Sequence, residues 1–349
     1  MSNFQFMNKI LVFQTWGIGD MIMATPMIGA LRQQLPEAKI TLIAGSHSAA
    51  EVIDGSTLCN ELRIMAPGKM NIWQLAKTFR GFKKERFDVV IICTRISPRI
   101  AQLLRLFSVT KIIAGDCLPP RRWGYTHWCP IERDLHRVES NMRILQTIIP
   151  EAQMGGLYFH IDPKSRIEAD RFWVQSRING RNVLGIHPGG GSQQKNKVFP
   201  AEKFRIVVKM FLKKFSESRV IIFFGQEDRN IIPSFSGIDN RVIFATELPL
   251  RVVGALISRI RVLLGNDSGL GHIAAALRIP VVTLAGPTNI SSTRPWGNDN
   301  IIVRTTENLK CIPCYDTALY GNCEHVKCMK SISEEDILEK ISWYFVDVK

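Results

Sequence analysis

Ile10-Leu11-Val12-Phe13-Gln14 runs straight into Thr15-Trp16-Gly17-Ile18-Gly19-Asp20, and a helix-like stretch, Met21–Gln34, follows. An apolar run this short reads as a strand, and one apolar on both faces reads as a buried strand. The glycines behind it let backbone N–H groups approach a ligand at a helix start, where the helix dipole favours an anion. Strand, glycine turn and helix together form the opening unit of a parallel α/β sheet.

Outward from this stretch the alternation continues. In the first half, further strands are expected at Ile40–Ala44, Leu62–Met65, Val89–Cys93 and Lys111–Ala114, with helices over Ile72–Glu85 and Ile100–Phe107. In the second half, strands are expected at Val183–His187, Val220–Phe224, Val242–Phe244, Val262–Gly265 and Val281–Ala285. Their helices are expected over Ala201–Phe215, Arg229–Phe235, Leu250–Ser258 and Leu270–Leu277. Two parallel sheets covered by helices follow from this pattern. An amphipathic helix, Ser165–Ile178, joins them. A last helix opens on Ser333 and Asp336, a capping-box spacing, and carries the stripe Ile337, Leu338, Ile341, Tyr344 and Phe345. Because it follows the finished second sheet, it is expected to pack back on the first domain. The boundaries expected are 1–165, 180–332 and 333–349.

Composition agrees with this plan. A chain of 349 residues suggests about two domains, and 46% hydrophobic with 22% charged residues excludes a disordered chain. No apolar run reaches the roughly 18 residues of a membrane span, and no basic segment with a long apolar core opens the chain. A cytoplasmic protein is expected. The net charge of +14 draws the chain toward phosphate-rich partners. Read as dispersed, and with no nucleic-acid module in view, that charge does not point to nucleic acid.

Four candidate sites sit at strand ends. Asp20 follows two glycines, where a carboxylate suits proton acceptance from a hydroxyl; a plain helix cap is the alternative. Pro188-Gly189-Gly190-Gly191-Ser192, then Lys195 and Lys197, make a diphosphate cradle or a surface loop. Gly225-Gln226-Glu227 places a carboxylate that suits a ribose hydroxyl pair. Asn266-Asp267-Ser268-Gly269, with His272 a helical step on, lies at the same carboxyl edge, where open α/β sheets bind ligands. Separately, Cys311, Cys314, Cys323 and Cys328 crowd into 18 residues, as a structural zinc or iron site does.

The chain resembles the ADP-heptose:lipopolysaccharide heptosyltransferases, glycosyltransferase family 9, over nearly its whole length. The resemblance rests on Gly19-Asp20 with Pro26 and Leu31, on His187-Pro188-Gly189 with Lys197-Val198-Phe199-Pro200, and on Gly225-Gln226-Glu227. Most specific is Asn266-Asp267-Ser268-Gly269-Leu270-Gly271-His272-Ile273-Ala274-Ala275-Ala276, followed by Pro280 and Gly286-Pro287-Thr288. It implies a GT-B architecture, in which two Rossmann-like doubly wound parallel-sheet domains face a cleft, acceptor on the first and nucleotide sugar on the second. By the same resemblance Asp20 is the general base and Lys197 meets the donor phosphates. Glu227 lies near the nucleoside, and Asp267, Ser268, Gly269 and His272 form the donor motif. Ser192 is expected to assist Lys197 at the diphosphate.

The activity implied is inverting, metal-independent transfer of heptose from ADP-heptose to a lipopolysaccharide core, with no cofactor required for catalysis. The basic excess then suits an anionic inner-membrane surface, to which the enzyme binds peripherally. The stretch Arg95–Arg122, where acceptor contacts are expected, matches no motif. The alternatives are another nucleotide sugar, a protein acceptor, or a nucleotide-sugar epimerase on the same fold.

Overall fold

Two sheets of six parallel strands carry the structure, and each repeats one strand order. The computed structural model describes residues 7–67, 70–118, 121–180, 182–190, 195–297, 299–315 and 317–346. The chain divides into two units, Met1–His160 and Ile161–Lys349.

In the first unit the elements are β1 (Lys9–Gln14), α1 (Ile18–Gln34), β2 (Lys39–Ala44), α2 (His47–Glu51), β3 (Glu61–Ile64), α3 (Ile72–Glu85), β4 (Val89–Ile92), α4 (Pro98–Leu106), β5 (Ile112–Cys117), β6 (His127–Pro130) and α5 (Arg137–Gln146). The sheet order is β3-β2-β1-β4-β5-β6. Ile10 of β1 pairs with Ile40 on one side and Val89 on the other, so β1 is central and its apolar residues Ile10–Phe13 are buried. The chain reverses direction across the sheet beside β1, and that switch point opens the crevice at the strands' carboxyl ends.

The second unit runs α6 (Pro163–Gln175), β7 (Val183–His187), α7 (Ala201–Lys214), β8 (Arg219–Phe224), β9 (Val242–Thr246), α8 (Leu250–Ile257), β10 (Val262–Asn266), α9 (Gly269–Ala276), β11 (Val281–Leu284), α10 (Ile290–Thr293), β12 (Asn300–Val303), α11 (Ala318–Gly321), α12 (Lys327–Lys330) and α13 (Glu334–Ser342). Its order, β12-β11-β10-β7-β8-β9, is that of the first sheet, with β7 in the place of β1. The helix expected at Arg229–Phe235 is a 3-10 helix over Gln226–Phe235. The joining helix α6 packs on α8 and belongs to the second unit.

The stripe of the C-terminal helix is buried in the second unit's own core, at Ile337, Ile341 and Phe345. The Phe345 ring meets Phe211 at 4.8 Å and Phe215 at 5.3 Å. The apolar face of α7 was already beside the stripe, and burial there removed the need for any other partner.

Helix α1 contains Pro26 in its interior, as the expected helix over Met21–Gln34 also does. A proline there removes the N–H that would bond the Ile22 carbonyl one turn earlier. The Thr25 hydroxyl donates to that carbonyl at 2.7 Å and also accepts from the Tyr158 amide at 2.9 Å. Thr25→Val keeps the shape and loses both bonds, so urea unfolding should show a loss of about 1–3 kcal/mol. In a Pro26→Ala background, where the new N–H serves Ile22, the loss should be smaller. Equal losses in the two backgrounds would show that the hydroxyl does not stand in for the missing amide.

Candidate active site

In the first unit the site begins with Gln14, buried at the end of β1. Its side chain accepts from the Trp16 amide and donates to the Asp20 carbonyl, both at 3.2 Å, which folds the glycine turn onto the start of α1. The helix is capped at Gly17 with no side-chain bond, and Asp20 stands in its first turn. Asp20 is therefore not the cap. Its carboxylate is ion-paired with Arg137, which opens α5, and both side chains stay partly open to solvent. Arg137 was not among the residues singled out by sequence. Its signal was the stripe Val138, Met142, Leu145 and Ile149 at helical spacing, which marks α5 and puts Arg137 at its start.

Nearby, at the ends of β4 and β5, Asp116 accepts from the Thr94 hydroxyl and from the Arg95 amide at 2.9 Å. Burial pushes the Asp116 carboxyl above its ordinary value against these bonds. They hold Arg95 in the left-handed region, φ 61°, which fixes the turn at the strand end.

In the second unit, Asn266 ends β10 and is 2% exposed. Its amide nitrogen donates to the carbonyls of Pro188 at 2.8 Å and Gly189 at 2.9 Å, and its oxygen accepts from the Phe199 amide at 2.9 Å. One side chain thus ties the turn after β7 to the segment that carries Lys197. Lys197 reaches Asp267 at 3.1 Å and lies 4.7 Å from the centre of the Tyr315 ring. Burial opposes the charge on Asp267, but Lys197 and His272 outweigh it and hold the carboxyl below its usual value.

Ser268, and not Asp267, caps α9. Its hydroxyl meets His187 Nδ1 at 2.9 Å, and the other ring nitrogen lies 3.8 Å from Asp228. Burial raises the Asp228 carboxyl, while the neighbouring His187 ring and the bond from the Gly225 amide more than offset this and leave it low. Asp228 also explains Gly189, since a Cβ there would lie 2.2 Å from its carboxylate oxygen.

Lys197, Asp267, Ser268 and His272 therefore fall in one cluster, and Gly269 begins the helix whose dipole favours an anion there. Glu227 stands exposed at the end of β8, at the same edge but outside that cluster. Ser192 lies outside the described residues. Sequence reading passed over Asp228 because Glu227, one residue earlier, matched the family pattern.

The protein-family comparison matches the model of glycosyltransferase family 9 (heptosyltransferase) to residues 75–321. The chain belongs to glycosyltransferase family 9. This glycosyltransferase is 33% identical over 343 residues to lipopolysaccharide heptosyltransferase 1 of Pseudomonas aeruginosa, covering 95% of the chain and 93% of that relative. Its fold matches the family 9 glycosyl transferase of Veillonella parvula with a TM-score of 0.82, at 22% identity over 97% of both chains. It matches the ADP-heptose lps heptosyltransferase II of Escherichia coli at 0.72 and 19% identity, over 96% of this chain and 98% of that one. The architecture is GT-B, and the epimerase reading gives way to sugar transfer.

The cysteine-rich segment packs beneath this site. A Cβ on Gly286 would lie 2.6 Å from the Met329 sulfur and 2.8 Å from that of Cys328, so β11 ends pressed against α12. The Cys314 amide donates to the Pro287 carbonyl at 2.9 Å. Burial and the other three thiols push the Cys328 thiol up to about 11. Cys311 is exposed, Cys323 half-buried, and Cys314 and Cys328 buried. Among the described residues no group of three or more His, Cys, Asp or Glu is arranged to hold a metal ion.

The Lys197–Asp267 pair has a measurable signature. A carboxyl held below its unfolded value of about 3.9 contributes stability that is complete above that pH. The contribution is lost as the pH falls through the lower native value. Asp267→Asn should cost about 3–5 kcal/mol near neutrality, because Lys197 is left buried without its partner. Urea unfolding from pH 7 down to about 3 should show the variant and wild type converging. A gap of constant size across that range would mean that Asp267 is not the ionised partner.

Proposed function

We propose that this enzyme moves a heptose from ADP-heptose to a hydroxyl of a lipopolysaccharide inner-core acceptor, with inversion and without a catalytic metal ion. The observation that carries the reading is the Lys197–Asp267 cluster beside the start of α9, at the carboxyl edge of the second sheet. There a lysine and a helix dipole suit a diphosphate. The relatives bear heptosyltransferase names, and one is named for ADP-heptose. The first unit takes the acceptor and the second takes the donor.

In the reaction, Asp20 takes the proton of the acceptor hydroxyl. The freed oxygen bonds to the anomeric carbon as that carbon's bond to the diphosphate oxygen breaks, and ADP leaves with the electron pair. A single displacement of this kind inverts the anomeric centre. Arg137 holds the Asp20 carboxylate in place. Lys197 and the amides at the start of α9 stabilise the charge growing on the leaving diphosphate. The chain has no Asp-x-Asp pair of the kind that holds Mg²⁺ on a diphosphate, so side-chain and helix charge take that part. Glu227 serves the nucleoside end of the donor, and Ser192 the diphosphate.

Asp20→Asn keeps the shape and loses the base. With ADP-heptose and a core acceptor, kcat should fall by roughly 10²–10⁴ while donor affinity barely changes. Near-normal kcat in the folded variant would move the base elsewhere, and equal turnover of UDP- or GDP-sugars would overturn the donor assignment.

Cys311, Cys314, Cys323 and Cys328 belong to the proposal as a structural metal site, supported by their spacing in the sequence. Elemental analysis of chelator-free protein should give about one zinc or iron per chain. Metal-free protein of unchanged stability would end that part. No helix among the described residues is long and apolar enough to cross a membrane. The enzyme is proposed to work in the cytoplasm, peripherally on the anionic inner surface of the membrane.

A further inference from the structure

The basic excess is not evenly spread. Between residues 71 and 124 the chain has eleven Lys and Arg against three Asp and Glu, a net of +8 out of +14. The three acids are already engaged. Glu85 makes two bonds to Arg63, at 2.7 and 2.8 Å, Asp88 accepts the amides of Asn8 and Lys9, and Asp116 is buried.

Helices α3 and α4 carry most of this charge, and Phe79 of α3 stacks at 6.0 Å on Phe107, the residue that ends α4. On α3, Trp73, Lys77, Arg80 and Lys84 fall within an arc of about 60°, at 3.6 residues per turn. All four are exposed, Trp73 at 78%. At the end of α4, Arg105 is exposed and Leu106 is 70% exposed. The Arg80 guanidinium lies 6.0 Å from the Phe107 ring, which joins the two helices into one face. None of these four cations forms an ion pair with a described residue.

We propose that this α3/α4 face of the first unit is the surface that docks on an anionic lipid bilayer, with Trp73 and Leu106 entering the headgroup region and Lys77, Arg80, Lys84 and Arg105 on the lipid phosphates. A face that combines an unshielded cation row with an exposed indole and an exposed leucine is complementary to such a surface in both charge and polarity. Nucleic acid would be served by the cations alone and would leave the leucine without a role. The proposal rests on the reading that the enzyme works at a membrane, and it adds which face does so.

The test is co-sedimentation of the full-length protein with vesicles of phosphatidylcholine containing phosphatidylglycerol, and with phosphatidylcholine alone. Wild type should bind the first and not the second. Each basic residue near such a surface contributes about fivefold, so Lys77→Ser/Arg80→Ser/Lys84→Ser should bind on the order of 100-fold more weakly. Trp73→Ser/Leu106→Ser should still bind at low salt and be released at a salt concentration that wild type withstands. Because all five positions are exposed, melting temperatures and turnover of a water-soluble acceptor should not change. Vesicle binding that survives the triple substitution overturns the proposal, as does a loss confined to RNA or DNA binding. Absence of heptose transfer by wild type would count against the proposed reaction and leave the vesicle result to stand by itself.

Discussion

The second unit's site depends on one buried amide. Asn266 uses its whole side chain, two donors and an acceptor, to fasten the Pro188-Gly189 turn and the Phe199 amide to the end of β10. Without it the carbonyls after β7 and the amide after Lys197 would be buried without partners, and each such group costs a kilocalorie or more. The clamp also sets where Lys197 lies relative to Asp267, because residues 197 and 199 share one short segment. Aspartate in place of Asn266 has no hydrogens to give the two carbonyls, and leucine has neither donor nor acceptor. Asn266 fits because its donors and acceptor match three main-chain groups of mixed polarity.

The two units handle charge differently. In the second, the acids are nearly covered and lie near basic groups, Asp267 with Lys197 and Asp228 with His187, so they are held ionised in a poorly hydrated place. In the first, the Asp20–Arg137 pair keeps access to solvent. The role proposed for Asp20, taking a proton from an incoming hydroxyl, needs that access. Residues that only hold charge in place do better without water, since a lower local dielectric strengthens the pair.

The central strands were legible in the sequence because they are apolar on both faces: Ile10–Gln14, Val183–His187 and Val262–Gly265 each lie between two neighbouring strands. The edge strands β6 and β12 were not. His127-Trp128-Cys129-Pro130 is only half covered and ends in proline, so it shows neither an apolar run nor a clean alternation. Asn300–Val303 is as short and also largely half covered. Helix α1 was read over Met21–Gln34 and begins three residues earlier, at Ile18, because the glycine turn itself enters the helix. Asp20, Lys197, Asp267, Ser268 and His272 were singled out from the turns that carry them, and the proposed site is built on them. Arg137 and Asp228 were missed, since each gains its place from a contact made only in the folded chain, 117 residues away for Arg137.

The position of α13 bears on the order in which the protein takes shape. The first unit is complete within Met1–His160, so once those residues have been synthesised its sheet has every strand it needs. The second unit's core includes Phe345 as well as Leu184, and its closure must wait for a residue more than 150 positions after its first strand begins. On the ribosome, where domains fold as they emerge, the first unit has time to settle while the second still exposes the apolar face of α7. During that interval the unfinished half is the part exposed to chaperones and to aggregation.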